Sequence, residues 1–98
     1  PSRRLTVADI QKEVETFFKV SHADLVGKKR TRNIIYARQI AMYLSRQMLE
    51  MPFNDIGKKF NRDHSTVMYS VTNVEEKMKE SRELQEEIEA LKQIIREI

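Results

Sequence analysis

A short polar run near the middle of the chain carries its most chemically versatile side chains. Asp63, His64, Ser65 and Thr66 follow one another directly. Aspartate, histidine and serine are the residue types of a nucleophilic triad, but triad members converge from separate elements. Consecutive residues on one helix point in different directions instead. The run therefore suits the presentation of hydrogen-bonding groups to a partner, and we expect neither an enzyme nor any catalytic residue.

Two short helices are predicted on either side of this run. The polar residues Asn61, Arg62 and Asp63 separate them and predict a tight turn. Gly57 falls on the apolar face of the first helix, where a missing side chain lets another backbone approach closely. A helix, a tight turn and a second helix make the helix-turn-helix unit of DNA-binding proteins, here residues 53–79. The apolar residues recur at helical spacing: Phe53, Ile56, Gly57 and Phe60 in the first helix, and Val67, Val71, Val74 and Met78 in the second.

The first turn of the second helix is the part that such proteins present to base edges in the major groove. If the valines face inward, then His64, Ser65, Met68, Tyr69 and Thr72 lie on the outer faces. Aspartate accepts a hydrogen bond from a cytosine amino group, whereas serine and threonine serve either polarity. Asp63 is also a good helix N-cap. Capping and base contact can coexist, and the sequence leaves both open.

A basic segment, residues 28–33, precedes the helix-turn-helix. It contains Lys28, Lys29, Arg30 and Arg32, and no acidic residue follows before Arg38. A basic loop can follow phosphates or insert an arginine into a narrow minor groove. The alternative is a solvated loop without a partner. The neighbouring helix-turn-helix favours DNA.

The string Ile56-Gly57-x-x-Phe60-Asn61-Arg62-Asp63-His64-Ser65-Thr66-Val67 resembles the C-terminal domain of the bacterial chromosomal replication initiators, the DnaA family. The basic segment and the run Ala37-Arg38-Gln39-Ile40-Ala41-Met42-Tyr43-Leu44 extend the resemblance, which covers the chain from Leu5 to about Met78. One departure is that many members place a Gly-Gly pair before the arginine, so the turn at Asn61 is one residue shorter. Asparagine tolerates the left-handed conformation that such a turn needs.

The resemblance implies sequence-specific binding to DnaA boxes in double-stranded DNA at a replication origin. It implies that Arg30 enters the minor groove and that Arg38, Gln39 and Arg46 contact the DNA backbone. Asp63, His64, Ser65 and Thr66 are expected to read bases, with Arg62 and Tyr69 as flanking phosphate contacts. No cofactor or metal is expected in this chain, because ATP binding and self-assembly belong to other domains of the family proteins. The implied location is the bacterial cytoplasm, at the nucleoid.

Length and composition predict one small all-α domain. Together with the apolar spacing and the turn, the expected fold is a compact domain of about six helices that contains the helix-turn-helix. The chain has 98 residues, no cysteine and only two glycines and two prolines. Lysine and arginine outnumber acids by thirteen to seven in residues 1–74, whereas acids outnumber them by eight to five in residues 75–98. The positive part suits a polyanionic partner. No run is apolar enough to span a membrane.

Capping residues and apolar spacing predict the remaining helices. Residues 1–4 are expected to be a linker end or an expression remnant. Thr6 with Asp9 resembles a capping box, and Ser21 is expected to cap a very short helix. Arg38 and Gln39 are predicted at the start of the next helix, where free N–H groups favour a phosphate. A last amphipathic helix is expected over residues 81–98, with an apolar stripe of Leu84, Ile88, Leu91, Ile95 and Ile98.

The sequence leaves two other functions open. The last helix could make the chain a protein-interaction or dimerisation module, although packing against the domain is favoured because about two heptads are short for a coiled coil. The helix-turn-helix could also bind RNA or DNA without sequence preference. Solution mass at varied concentration tests the first alternative. A comparison of cognate and scrambled duplexes tests the second.

Overall fold

A computed structural model describes residues 4–98, and this part of the chain forms six α-helices. The all-α prediction is therefore confirmed; residues 1–3 of the predicted linker lie outside the described residues. No helix in residues 4–98 is long and apolar enough to cross a membrane. The helices are α1 (Val7–Phe18), α2 (His22–Val26), α3 (Arg32–Leu49), α4 (Phe53–Phe60), α5 (His64–Met78) and α6 (Arg82–Arg96).

Side chains cap α1, α2, α5 and α6 at their N-termini. Thr6 and Asp9 form the capping box of α1, in which each side chain accepts a backbone N–H of the other residue. Ser21, Asp63 and Ser81 each accept the N–H of the residue three positions later. Such caps contribute about 1 kcal/mol each. The predicted caps are confirmed, and Asp63 does act as an N-cap.

The long helix α3 forms the centre of the fold and packs against α1, α2, α4 and α5. It begins at Arg32, with Thr31 as the preceding residue. Arg38 and Gln39 therefore lie inside the helix, and the prediction that they occupy its start is wrong. The N–H groups beside them are used by the helix and are not free for a phosphate. The basic loop is accordingly shorter than predicted and comprises residues 28–31.

The last helix packs against α1 and α5. Its apolar stripe joins the core through Leu84, Ile88, Leu91 and Ile95, while Ile98 stays 45% exposed. Tyr36 of α3 also donates a 2.5 Å hydrogen bond to Glu87 of α6. Four of the five stripe residues therefore pack against the domain, as the sequence favoured.

The turn between α4 and α5 is as tight as the sequence indicates. Asn61 adopts a left-handed conformation with φ of 58°, and the Arg62 N–H donates to the Gly57 carbonyl at 3.0 Å. A Cβ atom at Gly57 would lie 2.3 Å from the Arg62 carbonyl oxygen. The close backbone approach predicted at Gly57 is therefore confirmed, and it is made by the turn itself.

Candidate nucleic-acid interface

The N-terminal tip of α5 presents polar side chains to solvent. Asp63, His64, Ser65 and Thr66 are all exposed. The Asp63 carboxylate accepts the Thr66 N–H at 2.9 Å and the Ser65 hydroxyl at 2.8 Å. These bonds, led by the one from the backbone, lower the pKa of Asp63 below its ordinary value. Asp63 is therefore a fixed, ionised acceptor at neutral pH.

Helix α5 has one buried, apolar face and one exposed face. Val67, Val71 and Val74 are buried in the core, as the spacing predicted. Met68 and Tyr69 point outward and are 45% and 65% exposed. The helix therefore uses one face for the fold and leaves the other available for a partner.

The basic loop also faces solvent. Lys28, Lys29 and Arg30 are exposed, and so is Arg32 in the first turn of α3. Lys29 lies 3.8 Å from the Asp24 carboxylate, which is the long end of an ion pair. The whole of α3 contains no acidic residue. The positive charge of this region is therefore largely uncompensated.

A cleft of ≈ 630 Å³ separates the basic loop from α5. A second cleft of ≈ 430 Å³ shares Arg30 and Gln39 with it and continues to Arg32 and Lys77. No acidic residue is among the described residues that line either cleft. The first cleft brings together seven of the predicted site residues, namely Lys28, Arg30, Arg38, Gln39, Arg62, Thr66 and Tyr69.

Arg38 takes a part in the fold that the sequence did not indicate. It is only 5% exposed, and its guanidinium donates to the carbonyls of Asp24 and Leu25 at 2.7 Å and of Lys29 at 3.0 Å. Burial lowers the pKa of Arg38, and the positive charge of Arg62 lowers it further. Arg38 lines the floor of the cleft and ties α2 and the basic loop to α3.

Two further arginines also donate to backbone carbonyls. Arg62 binds the Gly27 carbonyl at 2.6 Å and the Phe60 carbonyl at 2.9 Å. Arg46 donates to the Met51 carbonyl at 2.7 Å, and its guanidinium carbon lies 4.3 Å from the centre of the Phe53 ring. Arg46 thus lies at the joint between α3 and α4. The family resemblance implied that Arg46 contacts the DNA backbone, and Arg62 was expected to be a flanking phosphate contact; neither prediction included a structural partner.

Sequence reasoning missed two residues of α5 that belong to this surface. Asn73 donates a 2.8 Å hydrogen bond to the Gln39 side chain and so orients it. Lys77 lines the second cleft. Both continue the face of Thr66 and Tyr69 at intervals of three or four residues. That spacing was visible in the sequence and could have identified them.

A helix-turn-helix with an exposed polar tip, beside a cleft lined by cations, defines a DNA-binding domain of the helix-turn-helix class. The chain belongs to the bacterial DnaA helix-turn-helix family. The family model described as "Bacterial dnaA protein helix-turn-helix" matches residues 7–74. The match includes the basic loop and most of α5.

Two similar proteins are each named chromosomal replication initiator protein DnaA. The chain is 42% identical over 89 residues to the chromosomal replication initiator protein DnaA of Limosilactobacillus fermentum, covering 90% of this chain and 20% of that protein. It is 44% identical over 96 residues to the protein of that name from Rhizobium meliloti, covering 97% and 20%. The chain therefore spans about a fifth of the length of these relatives.

Proposed function

We propose that this chain binds DnaA boxes in duplex DNA at a chromosomal replication origin, as the DNA-binding part of a replication initiator. In this proposal α5 enters the major groove, and the basic loop reaches the adjacent minor groove. The single observation that supports it best is the acid-free cleft between an exposed α5 tip and the exposed Arg30. In the longer protein, ATP binding and assembly would fall to other domains.

The tip of α5 would read the bases. The Asp63 carboxylate, which stays ionised, would accept a hydrogen bond from a cytosine amino group. Ser65 and Thr66 would donate or accept, and the Thr66 methyl would meet a thymine methyl. The role of His64 as donor or acceptor depends on its tautomer.

The surrounding cations would fix the register on the DNA backbone. Lys28, Lys29 and Arg32 would contact phosphates, while Arg30 would enter the minor groove. Gln39, held by Asn73, and Tyr69 would contribute hydrogen bonds from either side of the first cleft.

The three arginines that donate to carbonyls would contact phosphates only through their remaining N–H groups. The carbonyls hold Arg38, Arg46 and Arg62 in place, and pre-organised groups lose less conformational freedom on binding. A guanidinium has five N–H donors, so structural bonds and a phosphate contact are compatible.

Selection of bound sequences from a random duplex pool is the direct test of this function, followed by affinities on the selected and a scrambled duplex at fixed salt. His64→Ala and Thr66→Ala should each cost about 1–3 kcal/mol on the selected duplex and little on the scrambled one. Glu86→Ala, on the exposed face of α6, serves as the control. Equal losses on both duplexes would contradict base reading by these residues.

The electrostatic part of the proposal needs a separate measurement. Arg30→Ala should reduce the slope of log affinity against log salt by about one unit if Arg30 neutralises one phosphate or its equivalent. An unchanged slope would mean that Arg30 neutralises no DNA phosphate.

A further inference from the structure

Two successive hydrogen bonds join the turn of the helix-turn-helix to the end of α2, directly before the basic loop. The Asn61 amide donates to the Val26 carbonyl at 3.2 Å, and the Arg62 guanidinium donates to the Gly27 carbonyl at 2.6 Å. We propose that Asn61 and Arg62 are positioning residues that hold the basic loop in a fixed register with α5. The inference rests on the proposed function, in which these two elements enter neighbouring grooves.

The backbone that carries the Asn61 and Arg62 side chains is itself fixed. Asn61 is in the left-handed conformation, and the Arg62 N–H is bound to the Gly57 carbonyl. Their acceptors are also constrained, because Val26 ends α2 and the Gly27 N–H donates to the Asp24 carbonyl at 3.3 Å. Two consecutive donors on one rigid segment thus meet two consecutive acceptors on another. A slip by one residue would break both bonds.

Arg38 of α3 donates to carbonyls on either side of Val26 and Gly27, namely those of Asp24, Leu25 and Lys29. Arg62 and Arg30 are each close enough to Arg38 to repel it electrostatically. Without the hydrogen bonds, this repulsion would favour movement of the loop away from the turn. The bonds therefore keep Lys28 and Arg30 beside the first cleft before DNA arrives, which lowers the ordering cost of binding.

Asn61→Gly isolates one bond without a change in charge. Glycine adopts the left-handed conformation freely but has no amide to donate. We expect affinity for the selected duplex to fall about twofold to tenfold, the worth of one net hydrogen bond. The salt slope should stay unchanged, because the substitution removes no charge. Lys19→Gly is the matched control, because it makes the same backbone change at φ of 58° at the end of α1.

The same variant in an Arg30→Ala background distinguishes a positioning role from a direct one. If Asn61 acts through the loop, its loss should disappear once the loop arginine is gone. An equal loss in both backgrounds would overturn the proposal. Arg62→Lys adds a second readout in the free protein. It keeps the positive charge but loses the planar donor that the Gly27 carbonyl accepts, so the loop should become more mobile in the absence of DNA.

A measurement without DNA separates this inference from the proposed function. The ¹⁵N heteronuclear NOE of the loop amides at Lys28, Lys29 and Arg30 should fall in Asn61→Gly and Arg62→Ala, and stay unchanged in Lys19→Gly. Unchanged values in all three variants would refute the tie. A wild-type chain that shows no sequence preference would refute the proposed function and leave this result standing.

Discussion

The two DNA-facing elements differ in what supports them. The tip of α5 is held by its own helix, since Asp63 binds the backbone and hydroxyl groups that directly follow it. The basic loop is held by other elements. Arg38 of α3 donates to the Lys29 carbonyl within the loop, and Asn61 and Arg62 of the turn donate to the two carbonyls directly before it. The tip is therefore a local structure, whereas the loop depends on the tertiary fold. Changes to the two elements should have different consequences for stability.

The largest effect on stability is expected for Arg38, which holds the loop from α3, in contrast to Arg30, which lies in the loop. Arg38→Ala should lower the free energy of unfolding by about 3 kcal/mol, because hydrogen bonds to charged groups contribute about 1.5–3 kcal/mol each and carbonyls left without donors add a penalty. Arg30→Ala, an exposed change, should stay within about 0.5 kcal/mol. Urea unfolding monitored by circular dichroism measures both.

Comparison of these two variants tests whether Arg38 of α3 holds the loop in place. A small loss for Arg38→Ala would mean that water replaces the arginine at the three carbonyls. Arg38→Lys should recover only part of the stability, since one ammonium cannot reproduce the planar set of donors.

An intermediate effect is expected at Gly57 of α4, which packs against the turn before α5. A Cβ atom there would meet the Arg62 carbonyl at 2.3 Å, so Gly57→Ala must displace the turn. Overpacking costs about 1–3 kcal/mol, and the better helix propensity of alanine offsets up to about 1 kcal/mol of that. Lys58→Ala, exposed on the same helix, is the control. A stabilised Gly57→Ala would show that the turn relaxes at little cost.

Local signals in the sequence predicted most of the fold. The apolar spacing of α4 and α5, the caps Thr6, Ser21 and Ser81, and the tight turn at Asn61 all depend on residues within four or five positions of one another. Such interactions leave a periodic or positional pattern that can be read directly. The exposed tip of α5 followed from the same pattern.

The long-range contacts of the site left no such pattern. Arg62 and Gly27 are 35 residues apart, and Gln39 and Asn73 are 34 apart. Nothing near an arginine in the sequence shows whether it meets a carbonyl or solvent. The start of α3 was missed for another reason, because Thr31 makes no side-chain cap bond and no acidic residue occupies the first turn.

The smallest effect on stability is expected at the tip, for Asp63→Asn. Asparagine caps helices about as well as aspartate, so stability at neutral pH should change little. Because folding lowers the pKa of Asp63, the ionised carboxylate stabilises the fold at pH values above its unfolded pKa. That contribution is lost as the pH falls through the lower, folded pKa. Any advantage of wild type over Asp63→Asn should therefore shrink below about pH 4.

Thermal unfolding of both proteins between pH 7 and pH 2.5 measures this difference, and duplex affinity at pH 7 completes the comparison. The loss of the charged acceptor should weaken binding to the selected duplex although the fold is intact, because the tip is supported locally and its chemistry can change without moving the loop. The loop NOE values should accordingly match wild type. A loop that loosens in Asp63→Asn would show that the two elements are not supported separately, and the distinction between them would have to be abandoned.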